Sequence, residues 1–134
     1  MAQEILITGS NIHDITSFYR EINRVFMHNE NWQIGESLDA FNDLLYGGFG
    51  AMDNNETVNI LWKDIELSKK ALDYEATKAY YLNKLQPSSP FNKQYFSAKL
   101  KELEAGVGET YFDIVMKILS EHSNIILVTN FTHN

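Results

Sequence analysis

Apolar residues fall along the chain in short bursts whose spacing changes from one stretch to the next. The first burst, Glu4-Ile5-Leu6-Ile7-Thr8, is β-branched and unbroken, and Gly9-Ser10-Asn11 stops it. It predicts a strand, and its lack of alternation predicts burial on both faces, as in a parallel sheet. The period then shifts. Ile15, Phe18, Ile22, Val25 and Phe26 recur at helical spacing, with Tyr19, Arg20, Glu21, Asn23 and Arg24 between them. This predicts a helix capped by Thr16 and ending near Met27, followed by the polar loop His28-Asn29-Glu30-Asn31. A second helix is expected from Ser37 as N-cap to Gly47-Gly48, a pair suited to a left-handed C-terminal turn. Thr57-Val58-Asn59-Ile60-Leu61-Trp62 reads as the second strand, and a third helix follows over 63–72. Residues 73–106 form a helix-favouring insert split by Gln86-Pro87-Ser88-Ser89-Pro90, which predicts two helices joined by a turn. The insert is expected to pack far from the second helix. A further helix from Thr110 to about His122 turns Phe112, Val115, Met116 and Leu119 inward, and Asn124-Ile125-Ile126-Leu127-Val128-Thr129 is the last strand. Apolar strands alternating with helical crossovers predict an α/β fold with a small parallel sheet.

Composition narrows the function classes. In 134 residues, 44% are hydrophobic and 13% aromatic, enough for one packed domain spanning 1–134 and too many for a disordered segment. Lys and Arg total 11 against 18 Asp and Glu, a net charge of −7. Such a surface repels phosphate backbones, which points away from nucleic acid and toward a basic protein partner. The absence of cysteine excludes a disulfide framework, a thiolate nucleophile and cysteine-ligated metal. No segment reads as a signal peptide or a membrane span, so a cytoplasmic protein without a membrane partner, monomeric when free, is expected.

The usual catalytic patterns are missing. His13, His28, His122 and His133 are scattered without ligand spacing and read as ordinary surface or helix-end residues; neither metal nor cofactor is expected. Gly106-Val107-Gly108-Glu109-Thr110 lacks the lysine of a phosphate loop and follows no predicted strand, and Gly47-Gly48-Phe49-Gly50 has no phosphate-binding context. Asn55-Glu56-Thr57 and Asn130-Phe131-Thr132 match a glycosylation acceptor that has no meaning in the cytoplasm. No serine sits in a nucleophile elbow. The chain is not expected to be an enzyme.

One segment stands apart. In Gly35-Glu36-Ser37-Leu38-Asp39-Ala40-Phe41-Asn42-Asp43-Leu44-Leu45-Tyr46-Gly47, the residues Leu38, Phe41, Leu44 and Leu45 cluster on one side of a helical wheel. Asp39, Asn42, Asp43 and Tyr46 occupy an arc of about 100° on the other side. A solvated helix face would explain most of this, and the helix N-terminus favours Glu36 and Asp39. It does not explain Asp43, four residues beyond another acid, a spacing that costs a helix roughly 0.2–0.5 kcal/mol. A face kept for binding accounts for it.

At these residues the chain resembles the barstar family, the intracellular inhibitors of the ribonuclease barnase. The likeness rests on G-E-S-L-D-A-F-N-D-L-L-Y-G over 35–47, with Trp32 before it, Trp62 ending the next strand, and Lys63-Asp64-Ile65-Glu66-Leu67-Ser68-Lys69 after that. It extends to residues 5–26 and 111–128. The resemblance implies a barstar-like α/β fold, a three-stranded parallel sheet covered by helices, with 73–106 as an extra helical insert. It implies a ribonuclease inhibitor whose helix and preceding loop enter the enzyme cleft, carboxylates standing in for substrate phosphate. Asp39 and Asp43 match the family's two aspartates; Ser37 matches the cap, Gly35 the preceding glycine, and Tyr46 and Gly47 the contacts at the helix end. Trp32 and Asn42 complete the expected partner-binding set.

Three departures accompany the likeness. The family's aromatic between the aspartates is Asn42, its aromatic pair before the glycine is Gln33-Ile34, and its distal glutamate falls on Lys117 or Ile118. They suggest a basic target other than barnase, such as a bacterial toxin nuclease whose immunity protein this is. An acidic interaction or regulatory domain with a non-nuclease target is the alternative reading. A hydrolase using Asp39 and Asp43 is more remote, because adjacent turns of one helix hold both acids on a convex face rather than in a cleft.

Overall fold

The computed structural model describes residues 3–47, 49–52 and 57–129. Strand β1 (Gln3–Thr8) leads through a 3-10 turn into helix α1 (Ile15–Phe26), then α2 (Leu38–Tyr46). Strand β2 (Val58–Lys63) follows, then α3 (Ile65–Ala71), α4 (Tyr74–Lys84), α5 (Lys93–Glu104), α6 (Tyr111–Ser120) and strand β3 (Ile125–Val128). The strands form one parallel sheet in the order β1-β2-β3, with Ile5 opposite Ile60 and Ile60 opposite Leu127. This is the expected barstar-like arrangement.

Helices cover one face of the sheet. Ile5, Ile7, Val58, Ile60 and Trp62 point into a core shared with Phe18, Ile22 and Phe26 of α1. Phe41, Leu44 and Leu45 of α2 and Tyr111, Val115 and Leu119 of α6 complete it. On the other face Leu6 is 46% exposed and Ile126 50% exposed. The expectation that β1 is buried on both faces is therefore wrong. An unbroken apolar run does not say which of its residues meet helices, and β1 is an edge strand with its side chains alternating in and out.

Helix α1 begins two residues earlier than its pattern suggests. Asp14, not Thr16, is the N-cap: its carboxylate accepts the Ser17 N–H at 2.8 Å, and Ser17 Oγ accepts the Asp14 N–H at 2.9 Å. This reciprocal box holds the Asp14 carboxyl below its usual pKa through the backbone and side-chain hydrogen bonds of Ser17. Thr16 faces outward and donates to Glu36 Oε1 at 3.0 Å.

Polar residues between the apolar positions of α1 are also buried. Glu21, 2% exposed, accepts the Thr8 N–H at 2.8 Å, the Asn11 amide at 3.0 Å and the Arg24 guanidinium. Burial alone would raise its pKa; the hydrogen bonds from Arg24, Thr8 and Asn11 outweigh it and leave the carboxyl below its usual value. The result ties the end of β1 to α1.

Past β2, Trp62 Nε1 donates to Ser68 Oγ at 3.0 Å, and Ser68 Oγ donates to the Gly9 carbonyl at 3.2 Å. A Cβ on Gly9 would lie 2.4 Å from the Asp64 carbonyl oxygen, so only glycine lets the turn after β1 cross beneath β2. The insert is attached from the inside. Thr77 Oγ1, fully buried, accepts the Tyr111 N–H at 2.7 Å, and Tyr19 and Tyr111 share a hydroxyl hydrogen bond at 2.5 Å. Burial raises the pKa of both tyrosines, so each hydroxyl keeps its proton.

Candidate partner-binding face

Helix α2 starts where Ser37 Oγ accepts the Ala40 N–H at 3.0 Å. Phe41, Leu44 and Leu45 anchor it in the core, and Leu38 is half-buried beside them. The spacing that buries these residues turns Asp39, Asp43 and Tyr46 out to solvent, with Asn42 half-buried between them. Tyr46 is 70% exposed. Among the described residues neither aspartate belongs to an ion pair. The helix stops at Gly47, whose φ of 96° and ψ of −167° are open to glycine alone. Gly47 has the positive φ of the expected left-handed turn, though with an extended ψ, and its N–H donates to the Leu44 carbonyl at 3.2 Å. Gly48, the other half of that prediction, lies outside the described residues.

The approach to α2 is clamped from below. Asn23, buried in α1, accepts the Ile34 N–H at 2.9 Å and donates to the Ile34 carbonyl at 3.2 Å. Glu30 accepts the Gly50 N–H at 2.8 Å, joining this loop to the segment after α2. Gly35 then emerges exposed, and a Cβ built on it meets nothing within 4 Å. Trp32 does not join the helix residues. Its ring packs on Phe49, centroids 5.1 Å apart, just past the C-terminal end of α2.

His122 sits at a helix end, as the sequence suggests, but it is not a surface residue. Lying just beyond α6 and only 7% exposed, it places Nε2 2.8 Å from Asn42 Oδ1 and its ring edge-on to Tyr46, centroids 4.7 Å apart. Its eighty-residue separation from Asn42 hides this pairing from any local pattern. His13 and His28 are exposed, as expected, and His133 lies outside the described residues. Among the described residues no three His, Asp or Glu side chains are grouped to hold a metal ion.

The insert is not remote from this face. Tyr81, Tyr95 and Lys99 share a groove of about 330 Å³ with Leu38 of α2, Lys117 of α6 and Glu121 just past its end. On the opposite flank, Glu36 shares a concavity with Ala76, Tyr80 and Lys84 of α4. Burial raises the Tyr80 hydroxyl above its usual pKa, with smaller contributions from the Tyr95 hydroxyl and the Asp39 carboxylate. Both insert helices therefore border the N-terminal end of α2. Lys117 and Ile118, the two positions matching the family's distal glutamate, line the groove, whose acids are Glu102, Glu109 and Glu121.

Two carboxylates on a convex helix face, each open to solvent, suit an encounter with cations on another molecule. The sequence model of one family, described as Barstar (barnase inhibitor), matches residues 2–83, from β1 into α4. No curated protein matches the chain. Helices α5 and α6 and strand β3 lie beyond the matched span, and among the described residues no helix is long and apolar enough to cross a membrane.

Proposed function

The chain belongs to the barstar family, and from that premise we propose that it inhibits a ribonuclease by inserting the acidic face of α2 into the enzyme's active site. Asp39 and Asp43 pair there with the arginine, lysine or histidine side chains that hold substrate phosphate. Asn42 and Tyr46 set the register around them, while Ser37 and Gly47 fix where the helix starts and ends. Gly35 carries the contact onto the preceding loop, and Trp32, packed on Phe49, extends it past the helix end. The target is a basic nuclease other than barnase, such as a bacterial toxin for which this chain is the cytoplasmic immunity protein. One domain acts as a monomer, with no chemistry of its own.

The observation that supports this reading is the absence of any folding reason for Asp43. It stands one turn from another acid, in a molecule of net charge −7, and is in no ion pair among the described residues. Gly35 supports it further, since nothing in the free protein fills the space a side chain would take there. The test is capture of the bound protein from the native cell extract and its identification, followed by an assay of RNA cleavage with and without the chain. A basic nuclease that loses activity on binding is the expected outcome. A captured protein without nuclease activity would replace this reading with that of an acidic regulatory domain.

A further inference from the structure

The residue between the two aspartates is held from below. Asn42 Oδ1 lies 2.8 Å from His122 Nε2, and the imidazole also packs edge-on against Tyr46, four residues along the same face. An amide oxygen only accepts, so Nε2 carries the proton and donates it. With Oδ1 taken by this bond, the Asn42 amide nitrogen is left on the side away from His122, and it forms no hydrogen bond among the described residues. We infer that His122 is a positioning residue of the partner-binding face: it locks the Asn42 amide as an outward donor in the centre of an acidic arc.

This rests on the inhibitor reading and sharpens it. A partner that offers cations to Asp39 and Asp43 must present an acceptor oxygen, a carbonyl or a carboxylate, between them. An aromatic at this position, the family's pattern, asks for a flat apolar contact instead. The pairing of Asn42 with His122 therefore selects a different target surface.

Protonation gives a distinctive signature. Both ring nitrogens of a charged imidazole donate, so the bond to Oδ1 persists when His122 gains a proton. The polar groups facing His122 are Tyr46 and Asn42 from α2, and Glu121, Ser123 and Asn124 from the α6–β3 connection. None of these needs to move for the bond to survive. The opposite amide orientation, with Asn42 donating to a bare Nε2, would break on acidification.

The experiment begins with the free protein. Long-range 1H–15N NMR is expected to show the neutral His122 ring in the Nε2–H tautomer, with the Asn42 side-chain amide unchanged when the ring is protonated. In His122→Phe, which keeps an edge-on ring but no donor, the Asn42 amide order parameter should drop from about 0.85 to below about 0.6. His122→Gln, which restores a donor, should recover it. An Nδ1–H tautomer, or an Asn42 amide equally ordered in His122→Phe, would overturn the inference. Against the nuclease recovered in the capture experiment, His122→Phe should weaken binding about tenfold, with His122→Gln in between. Asp43→Ala in parallel separates the two ideas. Loss with Asp43→Ala but none with a folded His122→Phe defeats the positioning role alone. No loss with Asp43→Ala defeats the inhibitor reading, while the tautomer and order parameter still decide whether His122 locks Asn42.

Discussion

Glu21 and Asp43 sit on neighbouring helices and carry the same charge, yet their surroundings are opposite. Glu21 is buried in α1 and saturated: a backbone N–H, an amide and a guanidinium all donate to it. Asp43 is exposed on α2, with another acid one turn away and no ion pair among the described residues. A charge that serves the fold finds partners within the fold, because leaving it bare in the interior costs several kcal/mol. A charge left open at a position where lysine would stabilise the helix fits the proposed binding role. Under the inhibitor reading, stability and binding are divided between two residues, and each can be perturbed separately.

The largest effect is expected from Asp43→Ala on affinity. Removing the carboxylate strands a cation of the partner, at about 2–5 kcal/mol, or roughly thirtyfold to several thousandfold in dissociation constant. The thermal midpoint of the free protein should stay level or rise slightly, since a like-charge pair is relieved. A clearly lower midpoint would reveal a structural partner of Asp43 and erase the contrast with Glu21.

Glu21→Ala should do the reverse, losing about 3 kcal/mol of stability because the Thr8 N–H and the Asn11 amide lose their shared acceptor. Its pH dependence has a definite sign. The folded-state pKa is below the unfolded one, so the contribution is full above the ordinary glutamate range, near pH 4.3, and disappears as pH falls through the folded value. Melting curves of wild type and variant should therefore converge in acid. A gap that persists there would mean packing, not charge, holds this corner together.

Thr77→Val tests whether the insert is part of the core or an appendage. The Tyr111 N–H would lose its buried acceptor, and a loss of about 1–3 kcal/mol in denaturant unfolding is expected. A neutral result would mean that α4 stands apart from the rest.

Salt should act on one side of the comparison only. Association with the nuclease, followed by stopped flow, should slow as ionic strength rises, with dissociation changing far less. Flat association rates would remove the steering role of the −7 charge.

The smallest effect is on the free protein in Gly35→Ala, where the added methyl meets no atom within 4 Å. A change within about 0.5 kcal/mol is expected, alongside weaker binding if the partner backbone lies close. Unchanged affinity would take Gly35 out of the contact.

The parts legible in the sequence are those decided locally. Leu38, Phe41, Leu44 and Leu45 mark the buried side of α2 by spacing alone, so the side bearing Asp39, Asp43 and Tyr46 follows. Ser37 shows as a cap for the same reason. What needed the structure depends on distant segments. Glu21 and Asn23 look like solvent-facing residues until Thr8, Asn11 and Ile34 arrive to pair with them. Leu6 looks buried because nothing in β1 records which face lacks a helix. The apolar residues of α4 and α5 say that the insert packs, but its side is set by Thr77 accepting the Tyr111 N–H and by Tyr80 packing edge-on against the Tyr111 ring, centroids 5.1 Å apart. His122 is hidden for the same reason, being joined to Asn42 only through the folded chain.

The hydrogen bond from His122 to Asn42 also bears on biosynthesis. A ribosome completes α2 early, but the floor beneath Asn42 and Tyr46 is made of residues that leave the tunnel some eighty positions later. The central strand waits as long, because Val58 donates its N–H to Asn124 and its other neighbour is β3. A chain synthesised only through β2 can already pack Phe41 of α2 on Phe18 of α1, but it lacks the imidazole beneath Asn42 and Tyr46.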